Sequence, residues 1–271
     1  MDGQLREIMS AIKLVCANAK GGVGKTTTSS NLAGILANNM GFKVLCIDAD
    51  SQANLSIALG IDVGKTKKSL MDIFTGNCNA RDCVVKAFPN IDIIPATMLL
   101  DDVLTAPAVT TKKRPWLIMK SRLEELSKEY DFVFIDTASA ITLLTWNSLA
   151  FADRVIIPLR PDFLADTGVY KITNVIATAK KEWINRDLDI LMIVATHFQK
   201  TNDCTRHWDE IRQVYNGKTA QTTIRMNVAI SESVRDKKPL SYYRRDCNGY
   251  RDYLAVAEEL IKRVRGGHNE A

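Results

Sequence analysis

The sequence predicts an α/β protein in which a mostly parallel, twisted sheet carries helices on both faces. Three observations predict this class. Short apolar runs recur along the 271 residues, segments with helical spacing of apolar residues separate them, and the alternation contains no internal repeat. Strands this apolar are typical of parallel strands that are buried on both faces. We therefore expect one domain over residues 1–271, with an N-terminal extension over 1–11 and a flexible tail over 265–271.

The composition is that of an ordinary soluble globular protein, with 46% hydrophobic and 25% charged residues. No apolar run is long enough to cross a bilayer, and the N-terminus lacks a basic-then-apolar export pattern. The six cysteines form no Cys-x-x-Cys pair and no cluster with histidine, which favours reduced thiols over a metal site. We expect a cytoplasmic protein whose formal charge of +5 permits contact with an anionic polymer without requiring it.

Near the N-terminus, a strand, a glycine loop and a helix are predicted in succession. The apolar run over 12–17 predicts a buried strand, and apolar residues at helical spacing over 29–37 predict a helix. Between them stands the loop Lys20–Gly21–Gly22–Val23–Gly24–Lys25–Thr26–Thr27. This order is the context of a phosphate-binding loop, because glycines let successive backbone N–H groups point inward and the helix N-terminus adds partial positive charge.

Two lysines distinguish this loop from the common pattern. Lys25 is expected to reach the β- and γ-phosphates of a nucleotide, and the Thr26 hydroxyl is expected to bind Mg²⁺. The strict pattern has glycine where this chain has Ala19, and Lys20 is a second lysine inside the loop. A glycine turn with incidental basic residues is the alternative, but the loop and both flanking elements agree on phosphate binding.

Carboxylates follow two further strands. The run over 43–47 predicts a strand that ends in Asp48 and Asp50, and the run over 131–135 predicts one that ends in Asp136. The carboxyl ends of parallel strands face the crevice in which ligands collect. Beside a triphosphate, such carboxylates hold Mg²⁺ through its water or orient the attacking water. A solvated turn is the alternative for the aspartates at 48 and 50.

The remaining segments continue the alternation of strands and helices. We expect a helical excursion over 56–90, with weakly periodic segments around Leu70–Phe74 and Cys83–Phe88. The segment Met98–Arg114 is expected to be an irregular connection or short helix, whose basic tip we interpret as solvated surface. The predicted strands are Ile91–Pro95, Arg154–Pro158 and Ile190–Thr196, and the predicted helices are Trp116–Ser127, Thr167–Ile184, Asp203–Tyr215 and Gly249–Val264.

With these motifs in view, the chain resembles the ParA family of partition ATPases, within the deviant Walker A (SIMIBI-type) P-loop NTPases that include MinD. The loop over 20–27 has the family's form. The segment 48–54 resembles the second family motif, with Ser51 in place of the usual proline, and 136–139 resembles the third, with Ala138–Ser139 in place of two prolines. The resemblance covers nearly the whole chain. Further similar stretches are 147–158, 224–233, Lys238–Pro239 and Tyr253.

The resemblance implies ATP and Mg²⁺ as cofactors and assigns a role to each motif residue. In the family's nucleotide-sandwich dimer, the additional lysine, Lys20 here, reaches the other subunit's phosphates, and Asp50 positions the attacking water. The implied catalytic residues are Lys20, Lys25 and Asp50. The implied metal site, partly through water, consists of Thr26, Asp48 and Asp136. The implied nucleotide-binding residues are Lys20, Gly21, Gly22, Val23, Gly24, Lys25, Thr26, Thr27 and, near the base, Asn227.

The resemblance also implies a function, a slow ATPase switch that partitions plasmid or chromosome DNA. We expect the short, Soj-like form, without the helix-turn-helix extension of some plasmid ParA proteins. The ATP-bound homodimer is expected to bind nonspecific double-stranded DNA at the nucleoid until a centromere-binding ParB-type partner stimulates hydrolysis. The implied DNA-binding residues are Lys200, Lys237, Lys238, Arg244, Arg245 and Arg251. A solvated surface is the alternative for these charges, and Ala229 stands where a relative has a basic residue.

Other functions are open or are disfavoured by the same residues. A ParA-like ATPase that positions a protein cargo is open. A MinD-like membrane-associated ATPase would end in a basic amphipathic helix, but the segment 260–267 runs out into Gly, His, Asn and Glu without a terminal aromatic residue. A reductase like the nitrogenase iron protein would need ligand cysteines after Asp136, and none occurs before Cys204. Lys20 disfavours a P-loop ligase or kinase for a small molecule.

Overall fold

The computed structural model describes residues 11–163 and 165–266, except for the side chain of Asp166. The expectations for residues 1–10 and 267–271 lie outside the described residues. The strands of the described chain are β1 Ile12–Cys16, β2 Val44–Ala49, β3 Val85–Phe88, β4 Ile91–Ile94, β5 Phe132–Thr137, β6 Arg154–Leu159 and β7 Asp189–Ala195. Its α-helices are α1 Lys25–Asn38, α2 Asn54–Ala58, α3 Leu70–Thr75, α4 Pro107–Thr110, α5 Ile118–Ser127, α6 Leu143–Phe151, α7 Ala165–Lys181, α8 Asn202–Val214, α9 Val228–Arg235, α10 Leu240–Tyr243 and α11 Asn248–Gly266.

The strands form one sheet in the order β3–β4–β2–β5–β1–β6–β7. Every neighbouring pair is parallel except β3 and β4, which are antiparallel. The predicted fold class is therefore confirmed. From β1 the chain first moves toward β2 on one side and later reaches β6 on the other side. Such a reversal opens a crevice at the carboxyl end of the central strand, which is where the glycine loop begins.

Two apolar cores cover the two faces of the sheet and hold β1 between them. Val15 packs into one core with residues of α5, α6 and α7, such as Leu123. Leu14 and Cys16 pack into the other core with residues of α1 and α11, such as Leu32. The alternation follows because successive side chains of a strand point to opposite faces. Each fully buried leucine contributes about 1.5–3 kcal/mol, so the strand that leads into the glycine loop is firmly fixed.

The expected helical periodicity around Cys83–Phe88 is wrong. Val85–Phe88 is the edge strand β3, which forms a hairpin with β4 across a turn in which Asn90 has a φ of +61°. Val85 and Lys86 are both exposed, so the segment shows no alternation of buried and exposed residues. A strand this short is determined by its pairing partner rather than by its own pattern.

The helices α6, α9 and α10 have no counterpart in the sequence-based prediction. Leu144, Asn147 and Phe151 are all buried, so α6 buries polar as well as apolar side chains. Its sequence therefore lacks the separation into an apolar and a polar face by which a helix is predicted. At the C-terminus, α11 continues through Arg265 and Gly266, which we expected in the tail. None of the helices in the described part of the chain combines the length and apolar character that a membrane crossing requires.

Candidate active site

The glycine loop leaves β1 and enters α1 through two left-handed residues. Gly22 has a φ of +71° and Gly24 a φ of +82°, conformations that glycine adopts without strain. Gly24 stands at the N-cap of α1, and within the described chain no side chain caps this helix. The first N–H groups of α1 therefore remain for an external acceptor, and the helix dipole favours an anion there.

The Lys25 ammonium group lies inside the loop. The residue is 8% exposed, and its Nζ donates hydrogen bonds to the Lys20 carbonyl at 3.2 Å and to Ser139 Oγ at 2.9 Å. Burial lowers the pKa of Lys25, while the nearby carboxylates of Asp136 and Asp50 oppose this shift. In these two bonds the ammonium group contacts only neutral oxygens, so an anion bound in the loop would stabilise the buried charge. Ser139, to which the sequence analysis assigned no role, is thus a direct contact of the loop lysine.

Asp136 closes the other side of the loop. Thr26 Oγ1 donates to Asp136 Oδ2 at 2.6 Å, and Ser29 Oγ donates to Asp136 Oδ1 at 3.2 Å. Asp136 is fully buried at the end of β5 and pairs in register with Asp48 of β2. Burial, and then the charge of Asp48, raises the pKa of Asp136 to about 8. The sequence therefore placed this carboxyl correctly beside Thr26.

Asp48 and Asp50 occupy different environments. Asp48 is fully buried, and its Oδ2 accepts hydrogen bonds from the Ser56 backbone N at 2.8 Å and from Ser56 Oγ at 2.7 Å. Burial raises the pKa of Asp48 to about 6. Asp50 is only half-buried, and its Oδ1 accepts from Gln52 N at 3.0 Å. The inner carboxyl is thus held by α2, whereas the outer one stands at the mouth of the crevice.

Lys20 does not point across an open surface but is engaged within its own chain. Its Nζ lies 2.6 Å and 2.8 Å from the two carboxylate oxygens of Asp162. The Lys20 backbone N donates to Asn18 Oδ1 at 2.9 Å, and Asn18 Nδ2 donates to the Pro158 carbonyl at 2.8 Å. Helix α7 packs closely here, because a Cβ on Gly168 would stand 2.6 Å from Asn18 Oδ1. Sequence reasoning missed Asp162, although it follows β6 at the same edge as the other site carboxylates.

The donor set fits a magnesium ion. The Thr26 hydroxyl and the carboxyls of Asp48 and Asp136 are oxygen donors, which Mg²⁺ prefers. Two buried carboxyls on neighbouring strands, both with raised pKa values, form an environment that a cation would stabilise. In residues 11–163 and 165–266 no group of three or more His, Cys, Asp and Glu side chains is arranged to hold a metal by itself.

A pocket adjoins the glycine loop on the side of α11. Gly24 and Thr27 line it, together with the segment from Ile224 to Asn227. Asn227 is the N-cap of α9, and its Oδ1 accepts from Ala229 N at 2.9 Å. Tyr253 of α11 also lines the pocket. The structure therefore places Asn227 in the pocket that adjoins the loop, and its role near the base stays a prediction.

The predicted DNA-binding residues are all exposed, but only some are unengaged. Arg244 forms an ion pair with Glu232 at 3.4 Å, and Arg245 Nε donates to the Ser241 carbonyl at 2.8 Å. Arg251 makes only a long contact of 3.5 Å with Asn248. Only Arg244 of the six forms an ion pair within the described residues, and Lys200 in the β7–α8 loop and Lys237 and Lys238 after α9 form no side-chain hydrogen bond there either.

A second basic surface, which we interpreted as solvated, lies around the start of α5. We call it the α5 surface. Its members are exposed and form no ion pair within the described residues. They are Lys112, Lys113, Arg114, Lys120 and Arg122. Beside the α5 surface, Ile118 and Leu123 pack into the core of α5–α7. Arg244 and Arg245 lie between Leu240 and Tyr250 in the sequence, and these two residues pack into the core of α1 and α11. The residues after α9, from Lys237 to Arg251, therefore lie on the opposite face of the sheet from the α5 surface. Lys200 does not, because its neighbour Phe198 packs against the core of α5–α7.

Comparison with known proteins points to the same family as the sequence motifs. A family model described as an AAA domain matches residues 11–190. The sporulation initiation inhibitor protein Soj of Bacillus subtilis is 32% identical over 252 residues, which cover 91% of this chain and 97% of that protein. The chromosome partitioning protein ParA of Caulobacter vibrioides is 34% identical over 254 residues, with 93% and 94% covered.

A solved structure, cobyrinic acid a,c-diamide synthase from Mycobacterium smegmatis with bound ADP and magnesium, superposes with a TM-score of 0.82. It is 24% identical, and the match covers 95% of this chain and 96% of that one, so the likeness shows the shared fold alone. The family itself follows from the two relatives above 30% identity, which match along almost the whole length. The chain belongs to the ParA family of partition ATPases, as its loop and strand-end carboxylates indicated.

Proposed function

We propose that this protein is an ATPase switch for partitioning chromosome or plasmid DNA, in which Mg²⁺ and ATP bind at the glycine loop and join two copies of the chain. The observation that carries the proposal is the convergence of Lys25, Thr26 and Asp136 at the uncapped N-terminus of α1. A buried ammonium, a hydroxyl and a carboxyl at a helix N-terminus together meet the needs of a magnesium triphosphate. The relatives' names, chromosome partitioning protein ParA and Soj, support the biological role.

The loop residues bind and neutralise the phosphates. The N–H groups at the start of α1 donate hydrogen bonds to the phosphate oxygens, and Lys25 exchanges its bonds to Ser139 and the Lys20 carbonyl for a bond to a phosphate oxygen. Thr26, Asp48 and Asp136 would hold Mg²⁺, which when bound neutralises charge on the terminal phosphates. Asp136, whose pKa is raised to about 8, would hold the ion as the carboxylate, so binding would release a proton to solvent.

Asp50 orients the attacking water. Its carboxylate stands at the mouth of the crevice, and Gln52 N occupies Oδ1 only, which leaves Oδ2 for a water molecule. Phosphoryl transfer to water depends on positioning and charge neutralisation rather than on a covalent intermediate. Turnover is therefore slow until a partner, of the centromere-binding ParB type, improves this arrangement.

Lys20 couples nucleotide binding to dimerisation. In the free subunit its ammonium is paired with Asp162, so it has to leave that carboxylate to reach a phosphate of the other subunit. A triphosphate offers more negative charge and more acceptors than one carboxylate, which favours the exchange. Hydrolysis removes the γ-phosphate, so Lys20 no longer gains a stronger partner by leaving Asp162. The lysine thus makes the dimer a property of the ATP state.

Exposed apolar side chains at the same edge of the sheet support a surface that a second copy covers. Met98 and Leu99 follow β4, Ile141 follows β5 and Phe163 follows β6, and they are 81%, 59%, 41% and 82% exposed. Large exposed apolar groups near one another are typical of interaction sites. A MinD-like membrane anchor is disfavoured, because Leu260 and Val264 in the last turns of α11 are buried against the core.

The DNA-bound state belongs to the ATP dimer. The lysines and arginines of the predicted DNA surface contact phosphates of nonspecific duplex DNA, and this associates the protein with the nucleoid. They are Lys200, Lys237, Lys238, Arg244, Arg245 and Arg251. Binding of this kind is driven by release of counterions and weakens steeply with salt.

The test is a gel-shift and salt-titration series with ATP or ADP. We expect the ATP form to retard random duplex DNA and the ADP form not to. The triple variant Lys200→Ala, Lys237→Ala, Lys238→Ala removes both copies of each lysine from the dimer and should reduce the slope of log affinity against log salt by about 5. The matched control is Lys112→Ala, Lys113→Ala, Lys120→Ala, which removes the same charge from the α5 surface and should leave the slope unchanged. Equal losses in both variants, or equal binding with ADP, would contradict the proposed DNA surface.

A further inference from the structure

A buried carboxylate of the C-terminal helix holds one wall of the pocket beside the glycine loop. Asp252 of α11 is 6% exposed and accepts four hydrogen bonds from a single residue, Arg225. The Arg225 backbone N donates to Oδ2 at 3.0 Å. Its Nε donates to Oδ2 at 3.0 Å and to Oδ1 at 3.2 Å, and its Nη2 donates to Oδ1 at 2.6 Å. One carboxylate therefore fixes both the main chain and the side chain of Arg225.

Arg225 belongs to the segment Ile224–Asn227, which we call the wall segment. It belongs to neither a strand nor a helix of the described chain. On one side it is attached to the exit of β7, where Ile224 N donates to the Ala195 carbonyl at 2.7 Å and Met226 N donates to the Phe198 carbonyl at 3.1 Å. On the other side, Asp252 ties it to α11 by hydrogen bonds, and Asn227 packs against the same helix at Gly249, where an added Cβ would stand 3.5 Å from Asn227 Cβ. Asp252 thus supplies the charged contact between this segment and the helix.

The same helix also contacts the glycine loop's own helix. Tyr253, the residue after Asp252, is fully buried, and its hydroxyl lies 3.3 Å from Thr28 Oγ1 of α1. Tyr253 also lines the pocket, as do Thr27 of the loop and Ile224 of the wall segment. Two consecutive residues of α11 therefore contact two elements that line one pocket, Asp252 the wall segment and Tyr253 the helix α1.

We propose that Asp252 and Arg225 are positioning residues that set the width of the pocket for the nucleoside part of the nucleotide, its base and ribose. The inference rests on the proposed function, because phosphates at the loop leave the nucleoside to extend along Gly24 and Thr27 into this pocket. Neither residue acts on the phosphates. Loss of the carboxylate releases the wall segment and also frees a guanidinium whose side chain is already 45% exposed.

The experiment compares two ligands that share their phosphates and differ in the nucleoside. Affinities for Mg·ATP and for Mg·tripolyphosphate are measured by calorimetry for the wild type, Asp252→Asn and Arg225→Ala. We expect Asp252→Asn to weaken ATP binding about tenfold, as for the loss of hydrogen bonds to a charged group, while tripolyphosphate affinity changes less than about twofold. Arg225→Ala, at an exposed position, should give the same pattern without a comparable risk to folding, and the double variant should be no weaker than Asp252→Asn alone.

A matched control on the same helix is Glu258→Gln, which removes the same charge from an exposed residue of α11 that forms no ion pair with another described residue. This variant should change the affinity for neither ligand. Parallel weakening of both ligands by Asp252→Asn and Arg225→Ala would assign the pair a purely structural role and overturn the inference, as would unchanged ATP affinity. If the wild type binds tripolyphosphate as tightly as ATP, the inference fails while the loop function stands; if it binds neither, the proposed function fails as well.

Discussion

The ion pair between Lys20 and Asp162 predicts that a charge-neutral substitution will strengthen the ATP-bound dimer. Asp162→Asn keeps the shape of the side chain but removes the carboxylate that holds the Lys20 ammonium at 2.6 Å and 2.8 Å. The lysine is then no longer held within its own subunit. If it serves the other subunit's nucleotide, its release becomes easier and the dimer becomes tighter.

The size of the effect follows from the exposure of the pair. At an effective dielectric constant of about 20 the bare attraction would be about 6 kcal/mol. The side chains are 27% and 37% exposed, so solvent screening reduces the net value to about 1 kcal/mol. Each dimer requires two such releases, which gives about 2 kcal/mol, or a dimer Kd that is roughly 30-fold lower in the variant.

The assay is sedimentation velocity with Mg·ATP, in an Asp50→Ala background that prevents turnover during the run. The control is Glu125→Gln, which breaks the exposed ion pair with Lys128 at 2.6 Å and changes the net charge equally. We expect the control to leave the dimer Kd unchanged. A dimer Kd that is equal or higher in Asp162→Asn would refute the reasoning, since it would mean that Asp162 does not restrain Lys20 from its role.

Further substitutions test other parts of the site. Asp50→Ala should retain ATP-dependent dimerisation and lower phosphate release at least about 100-fold, because no group orients the water; full activity would remove Asp50 from its role. Lys20→Gln should abolish ATP-dependent dimerisation in light scattering, and an unchanged dimer would contradict the cross-subunit contact. Asp136 has a pKa of about 8 in the folded state against an ordinary 3.8, so between these pH values the folded state binds more protons than the unfolded state. The free energy of unfolding should therefore fall as the pH rises from about 4 to about 8, by up to about 1.4 kcal/mol per pH unit. Urea unfolding in EDTA at pH 5, 6 and 7 measures the slope, which Asp136→Asn should flatten; an equal slope in that variant would assign the effect to other groups. Gly168→Ala should lower the free energy of unfolding by about 1–3 kcal/mol, since its Cβ would stand 2.6 Å from Asn18 Oδ1, and an unchanged urea midpoint would show that α7 can shift.

Much of the fold follows from short-range pattern in the sequence. The buried parallel strands are apolar throughout, so runs such as the one over 132–135 predict them directly. The glycine loop was predictable because its φ values demand glycine at positions 22 and 24. The carboxylates Asp48 and Asp136 were predictable from one topological rule, that strand ends in a parallel sheet share an edge.

What the sequence did not predict depends on contacts between distant segments. Asp162 meets Lys20 across 142 residues, and Ser139 meets Lys25 across 114. The Arg225–Asp252 pair likewise exists only because α11 packs beside the pocket. No local periodicity encodes such partners. The helix α6 was missed for a related reason, because its polar Asn147 is buried and satisfied by bonds to Met119 N and the carbonyls of Pro115 and Leu143.

The central position of β1 has a consequence for how the molecule would respond to its nucleotide. This strand is bonded to β5 on one side and to β6 on the other, and the loop that follows it touches Ser139 on the first side and Asp162 on the second. A molecule bound in that loop would link the part of the sheet around β5 to the part around β6. Occupancy should therefore slow amide hydrogen exchange across the entire protein as one cooperative unit, rather than only in the segments that touch the ligand.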